Sequence, residues 1–306
     1  MSPPSIEPVS FHRPPHDFAA NLGASFKRHG FAVVEGHGID ETVSDAVLTD
    51  AKAVFALPEM AKRAYHVPGG AGQRGYTPFA VETAKGAAHA DLKEFWHVGR
   101  ETDGRLGPHL DNVWPAEVAD LRPDALALFA AFERFGGAVL AAIGAYLKLP
   151  AGFLEDAARG GNSVLRLLRY PPADFDGPAI RAGPHEDINA ITLLLGAEEA
   201  GLELLDRDGA WLPINPPPGA AVVNIGDMLA RLTNDVLPST THRVVNPAPE
   251  RRGVARYSMP FFLHFRSDFL IRTRPECVSP QRPDRYPEPI TAGDFLDQRL
   301  REIKLA

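Results

Sequence analysis

The spacing of apolar residues changes along this chain and divides it into two textures. Between residues 17 and 28, Phe18, Leu22 and Phe26 recur at helical spacing, and Gly30 supplies a stop. Residues 31–34 read as a short buried strand. Asp40 then caps a second helix whose inward stripe is Val43, Val47, Val54 and Phe55, ending before Pro58. Residues 69–76 are glycine-rich and loop-like, whereas residues 91–98, around Phe95, Trp96 and His97, have the aromatic content of a pleated surface. A long helix runs from a first turn at Pro123 to Leu147, with Leu126, Phe129, Phe132 and Phe135 on its apolar face and Gly136-Gly137 marking a close approach.

From about residue 162 the texture becomes short apolar runs separated by Pro and Gly, the pattern of a β-sandwich or barrel. Residues 165–170 read as a strand closing on Pro171-Pro172, and residues 188–195 as a core strand. Residues 202–205 and 210–214 form a hairpin around an Asp-Gly turn, and residues 220–225 another buried strand. Asp227 is placed to cap a short helix over residues 228–232, and residues 259–263 are again strand-like. The expected class is mainly β with surrounding helices. A helix-rich region, residues 1–160, packs on a β core, residues 161–306, as one continuous unit.

Composition narrows the functional classes. With 306 residues, 44% hydrophobic and 23% charged, the chain can bury a large core. A net charge of -7 without a basic run argues against a nucleic-acid surface. The single cysteine, Cys277, excludes an intramolecular disulfide, disfavours a cysteine-based metal site and fits a reducing compartment. The first five residues lack signal-peptide features, and no apolar stretch approaches bilayer length, so the expectation is a cytoplasmic protein without a membrane partner.

The chemistry concentrates in His185-Glu186-Asp187 and, far downstream, His242. On a strand, His185 and Asp187 point one way and Glu186 the other, and the chain between Asp187 and His242 is long enough for several strands to return a third ligand. Two imidazoles and one carboxylate on one face suit ferrous iron and leave the opposite coordination positions open, as dioxygen chemistry requires. Arg256 and Ser258 share a strand face, a fitting receptor for a carboxylate because the guanidinium makes paired charge-assisted hydrogen bonds. Tyr170 shares its face with Leu168 and Arg166, and reads equally as a hydrogen-bond partner for a bound acid or as a core tyrosine.

These residues resemble the isopenicillin N synthase-like family of iron(II)- and 2-oxoglutarate-dependent dioxygenases. The likeness runs nearly end to end, through Gly30-Phe31, Asp91-Leu92-Lys93-Glu94-Phe95-Trp96, the Arg166 to Pro172 segment, His185-x-Asp187, Asn224-Ile225-Gly226-Asp227, the run from His242 to Pro247, and Arg256-x-Ser258. The resemblance implies a double-stranded β-helix, or jelly roll, with the metal in its mouth. It implies His185, Asp187 and His242 as Fe(II) ligands, Arg256 and Ser258 on the distal carboxylate of the cosubstrate 2-oxoglutarate, and Tyr170 helping to hold it. Leu168 stands where many members carry Asn, which removes one polar contact near the cosubstrate, and Glu186 stands where Thr is common.

The activity so implied is oxidation of a small molecule, by hydroxylation, desaturation or cyclisation, coupled to 2-oxoglutarate decarboxylation. A 2-oxoglutarate-independent iron oxidase and a non-catalytic metal-binding jelly-roll protein are the alternatives. A hydrolytic zinc site lacks an evident general base. Tyr76, Phe95 and His97 are candidates for substrate contact and equally for core or rim. The sequence leaves open the substrate and the oligomeric state.

Overall fold

The computed structural model describes residues 6–83, 89–101, 111–172, 180–196 and 201–303; the first five residues, which lack signal-peptide features, lie outside them. Strand β1 (Pro8–Ser10) precedes helix α1 (Pro15–His29), which begins on proline and ends at Gly30. Gly30 is required twice: its φ of +69° is left-handed, and a Cβ there would lie 2.2 Å from Thr240 Oγ1. Strand β2 (Phe31–Glu35) leads to α2 (Glu41–Ala56), whose N-cap Asp40 accepts from Thr42 N at 2.9 Å as the sequence predicts. Then come α3 (Glu59–Arg63), β3 (Gly75–Thr77), β4 (Glu94–Gly99), α4 (Leu121–Tyr146) and α5 (Phe153–Ala158).

The second half contributes β5 (Val164–Tyr170), β6 (Ala182–His185), β7 (Ile191–Leu195), β8 (Leu202–Leu205), β9 (Trp211–Pro213) and β10 (Ala221–Ile225). After α6 (Asp227–Leu232) follow β11 (His242–Val244), β12 (Arg256–Ser258), β13 (Pro260–Leu263), β14 (Leu270–Ile271), β15 (Ile290–Thr291) and α7 (Ala292–Glu302). One sheet has the order β1-β2-β10-β7-β13-β5-β4-β3, with β12 also paired to β5; a four-stranded sheet has the order β6-β11-β8-β9. Phe31 and Val222 of the first sheet pack with Leu204 of the second, and Leu168 and Tyr170 with Ala182 and Val244, so the two sheets face each other as the expected jelly roll.

Strand alternation sorts the large sheet into a structural face and a chemical face. Leu165 and Leu167 on β5, Ile191 and Leu193 on β7, Val223 and Ile225 on β10, and Phe261 and Leu263 on β13 join the main core with α4. Their neighbours Leu168, Tyr170, Thr192, Asn224 and Phe262 line the space between the sheets. Helix α4 packs on α1, α2 and β13, burying Leu128, Phe129, Phe132, Phe135, Val139 and Leu140, while Leu126 lies at the edge of its stripe. Contrary to the expectation from sequence, α4 is long and apolar enough to cross a membrane by length and composition; 56% of its apolar window is buried inside the fold.

Three local expectations are corrected. Strand β6 ends at His185, so Asp187 lies in the segment between strands, and β7 begins at Ile191 rather than residue 188. Chain crossing from one sheet to the other cannot stay in a ladder. Gly226 is the N-cap of α6 and Asp227 its first helical residue, the Asp227 carboxylate being paired with Arg299 at 3.0 Å.

Of the adjacent pair Gly136-Gly137 in α4, only Gly136 is a close approach: a Cβ would meet Leu263 Cδ1 at 2.4 Å, whereas Gly137 has nothing within 4 Å. Gly137→Ala is expected to raise stability by about 0.5–1 kcal/mol through helix propensity. Gly136→Ala should gain less or lose, because Leu263 must shift in a packed core. Urea midpoints measure both, and equal gains would contradict the packing described.

Candidate metal centre

Antiparallel pairing of β6 with β11 sets His185, the last residue of one, opposite His242, the first of the other. Their ring centroids are 4.4 Å apart. Asp187 arrives from the crossing segment, and its Oδ1 lies 3.9 Å from His185 Nε2 and 3.8 Å from His242 Nε2. One ligand atom from each residue falls within 4.8 Å of the others. These spacings exceed hydrogen-bond length and leave room for one cation bonded to all three. Although Asp187 is off the strand, the structure brings together the three residues that the sequence singled out.

Backbone carbonyls orient both imidazoles. His185 Nδ1 donates to Gly183 O at 2.7 Å and His242 Nδ1 to Thr240 O at 3.1 Å. A carbonyl only accepts, so the proton sits on Nδ1 and the Nε2 lone pair is free for a metal. Phe31 packs edge-on against the His242 ring at 5.4 Å. Burial, then the neighbouring His242, holds His185 below its ordinary value, which favours the neutral ring. Burial alone would raise Asp187. The attraction of His242 and His185 in their charged forms, and then the hydrogen bonds of Asn224 and Thr192, outweigh it and hold the carboxyl below its ordinary value.

The other carboxylate oxygen, Asp187 Oδ2, accepts from Asn224 Nδ2 at 2.8 Å and from the Thr192 hydroxyl, to which Asn189 Nδ2 donates in turn at 2.9 Å. The Asp187 carbonyl accepts from Asp227 N at 2.7 Å. Gly226 passes so close that a Cβ would lie 2.2 Å from Asn189 O. The Asn224-Ile225-Gly226-Asp227 run therefore holds Asp187 by a side-chain donor, a close-packed glycine and a backbone donor. Sequence reasoning marked this run without a role and passed over Thr192. The available signal was a polar residue at an inward position of each apolar strand.

Two cavities meet at the cluster. The smaller, about 70 Å³ between the sheets, is lined by His185, Asp187 and His242 together with Tyr170, Arg256, Ser258, Lys93 and Asn224. Arg256 stands across the β12–β5 ladder from Tyr170, its guanidinium carbon 5.1 Å from the ring centroid, and Arg256 and Ser258 are 2% and 6% exposed. The larger, about 340 Å³, also borders His185 and Asp187 and is lined by Gln73, His97, Arg166, Phe262, His264 and the α7 residues Leu296 and Arg299. Of the three candidates for substrate contact, His97 alone lines it. Tyr76 is buried with its hydroxyl donated to Glu94 at 2.5 Å, and Phe95 packs with Leu168 and Tyr170.

Comparison with known proteins extends this geometry. Residues 161–265 match the family model described as 2OG-Fe(II) oxygenase superfamily, and residues 6–117 match that described as non-haem dioxygenase in morphine synthesis N-terminal. The 2-oxoglutarate-Fe(II) type oxidoreductase hxnY of Emericella nidulans is 34% identical over 289 residues, covering 89% of this chain and 80% of the relative. A crystal structure from Caulobacter crescentus, assigned to the 2OG-Fe(II) oxygenase family, is 59% identical with a TM-score of 0.89, covering 97% of this chain and 99% of that one. A full-length Neurospora crassa protein, solved in complex with alpha-KG (2-oxoglutarate) and thymine, is 27% identical with a TM-score of 0.85, covering 97% and 96%.

The hold on Asp187 is directly testable. Asn224→Ala should weaken Fe(II) binding about tenfold to hundredfold, the usual effect of losing a partner of a metal ligand, in anaerobic calorimetry. Native affinity in that variant would mean that Asn224 does not orient the carboxylate. Likeness that runs through both halves of the chain, and not through the ligand residues alone, makes this protein a member of the 2OG-Fe(II) oxygenase superfamily, an iron(II)- and 2-oxoglutarate-dependent dioxygenase.

Proposed function

We propose that His185, Asp187 and His242 hold the iron, that Arg256, Ser258 and Tyr170 receive the distal carboxylate of 2-oxoglutarate in the smaller cavity, and that the larger cavity takes the small-molecule substrate. The observation that carries this reading is the shared border. Both cavities include His185 and Asp187, so cosubstrate and substrate meet one metal from separate compartments. Iron, with 2-oxoglutarate and dioxygen, supplies the oxidation of a carbon–hydrogen bond, by hydroxylation, desaturation or ring closure.

The chain's own residues bind, orient and exclude water. Arg256 presents a planar donor fork and Ser258 a hydroxyl, in a cavity whose Leu168, Leu194 and Val244 walls are apolar, where a charge-assisted pair is strongest. In the larger cavity, His97 Nδ1 donates to Gly72 O at 2.5 Å and its Nε2 accepts from Arg166 Nε at 2.5 Å, which keeps the ring neutral and fixed. Burial, then the Arg166 charge, holds His97 well below the ordinary histidine value. Arg166 pairs with Glu82 at 3.2 Å and Arg299 with Asp227 at 3.0 Å, so both arginines of this wall are compensated within the protein. Such a lining favours an uncharged substrate that hydrogen-bonds, since an added charge would meet walls already neutralised. Thymine, the ligand of the Neurospora crassa protein, is of that size and kind.

The test is oxygen uptake and succinate formation across a panel of small molecules, with and without 2-oxoglutarate. Uptake that depends on 2-oxoglutarate is expected; uptake indifferent to it across the panel would sink the cosubstrate assignment in favour of an oxidase. Arg256→Met should weaken 2-oxoglutarate binding about 30-fold or more, the factor for about 2 kcal/mol on losing one partner of a buried charge pair, while iron affinity stays native. Equal losses of iron and 2-oxoglutarate in this variant would assign Arg256 to the fold rather than to the cosubstrate.

A further inference from the structure

Beyond the Nδ1 carbonyl that orients His185, the hydrogen bonding does not stop. Gly183, whose carbonyl takes the His185 proton at 2.7 Å, donates its own N–H to Asp91 Oδ1 at 2.9 Å. Asp91 Oδ2 accepts from Lys93 Nζ at 2.8 Å, Lys93 Nζ reaches Glu82 Oε1 at 2.6 Å, and Glu82 Oε1 accepts from Arg166 at 3.2 Å. Asp91 and Lys93 are 4% and 5% exposed. A run of charge-assisted bonds thus links the wall of the larger cavity, where Arg166, Glu82 and Asp91 stand, to the Gly183 N–H, and the Gly183 carbonyl in turn bonds the ring of one member of the metal cluster.

Gly183 lies within β6, two residues before the strand ends; its N–H belongs to the peptide with Ala182 and its carbonyl to the peptide with Pro184, so anchoring the N–H holds the backbone one Cα away from the carbonyl that orients the His185 ring. Strand β6 is an edge of the small sheet, bonded on one side to β11. Its other side needs a partner from elsewhere, and Asp91 supplies it from the segment leading into β4 of the facing sheet. Buried ion pairs contribute little net stability over apolar packing, but they hold geometry well when every bond is made.

We propose that Asp91 is a positioning residue for His185, anchoring the β6 backbone at Gly183 and through it the carbonyl that orients the ring, and that Lys93 and Glu82 hold Asp91 in place for this purpose. The inference rests on His185, Asp187 and His242 being the metal ligands. A buried cluster elsewhere supplies the control. Glu94 accepts from Lys62 at 2.6 Å and from Arg169 at 2.6 Å, is 2% exposed, and has no hydrogen bond or ion pair to Asp91, Gly183 or His185 among those described.

The experiment titrates the metal-free full chain with Co(II), reading both affinity and the visible d–d absorption, which reports ligand geometry. Asp91→Asn keeps the side-chain shape but loses the charge that Lys93 requires; it is expected to weaken Co(II) about tenfold or more and to shift the band. Glu94→Gln is expected to lower the melting temperature while leaving Co(II) affinity within about twofold, the margin of an indirect effect at a separate site. Native affinity and band in Asp91→Asn, or an equal loss in Glu94→Gln, would overturn the proposal. If Asp91→Asn does not fold, Glu82→Gln carries the test, with a smaller loss of Co(II) affinity expected and none contradicting it. Failure of the wild-type protein to bind Co(II), or unchanged binding by Asp187→Ala, would instead overturn the ligand assignment itself.

Discussion

The structure depends on keeping one carboxylate charged between two sheets. Asp187 is 7% exposed and lies beside the rings of His185 and His242. A buried charge costs several kcal/mol unless it is hydrogen-bonded and paired, so the surrounding residue types are constrained. Asn224 and Thr192 satisfy one oxygen, and the other is left to the cluster. Imidazoles proton-locked by carbonyls turn lone pairs rather than N–H groups towards that oxygen, an arrangement that calls for a cation and fits the iron of the superfamily.

The jelly roll delivers this arrangement because alternation lets one strand serve two purposes. On β5, β7, β10 and β13 the outward positions pack with α4 into the main core, while the inward positions carry Tyr170, Thr192, Asn224 and Phe262. Rigidity on one face therefore holds the chemistry on the other. Where chain passes from the small sheet to the large one, it leaves the ladder, and that crossing is where Asp187 sits. The ligand farthest from regular structure is accordingly the one with the most hydrogen-bond support.

Much of this was legible from residue types. His185 and Asp187 stand out just before an apolar run and His242 just before another, and the face shared by Arg256 and Ser258 follows from period two alone. Register is a different matter: that Arg256 stands opposite Tyr170, or His185 opposite His242, depends on which strands pair. Asp187 was expected on the strand because its flanks are strand-like; the need to change sheets overrode the local pattern. Asp91 and Lys93 belong to a run that the likeness marks, but their role is not legible, because the bonds from Asp91 to Gly183 and from Glu82 to Arg166 join segments far apart in sequence, and nothing local marks a lysine that bonds two acids. The sequence shows helix α4 as a long helix with one apolar face, yet it is apolar enough to span a bilayer by length and composition, because sheet and helices cover it on several sides.

The larger cavity draws on both halves of the molecule. Its wall joins β4, β5, β13 and α7, with its arginines already paired. The account turns on whether one metal serves both cavities. A crystal structure of the protein loaded anaerobically with Fe(II) and 2-oxoglutarate measures this most directly. The predicted result is iron bonded to His185 Nε2, Asp187 Oδ1 and His242 Nε2, with the distal carboxylate on Arg256 and Ser258 and the larger cavity open to the metal. Iron bound elsewhere, or a carboxylate seated in the larger cavity away from Arg256, would contradict it.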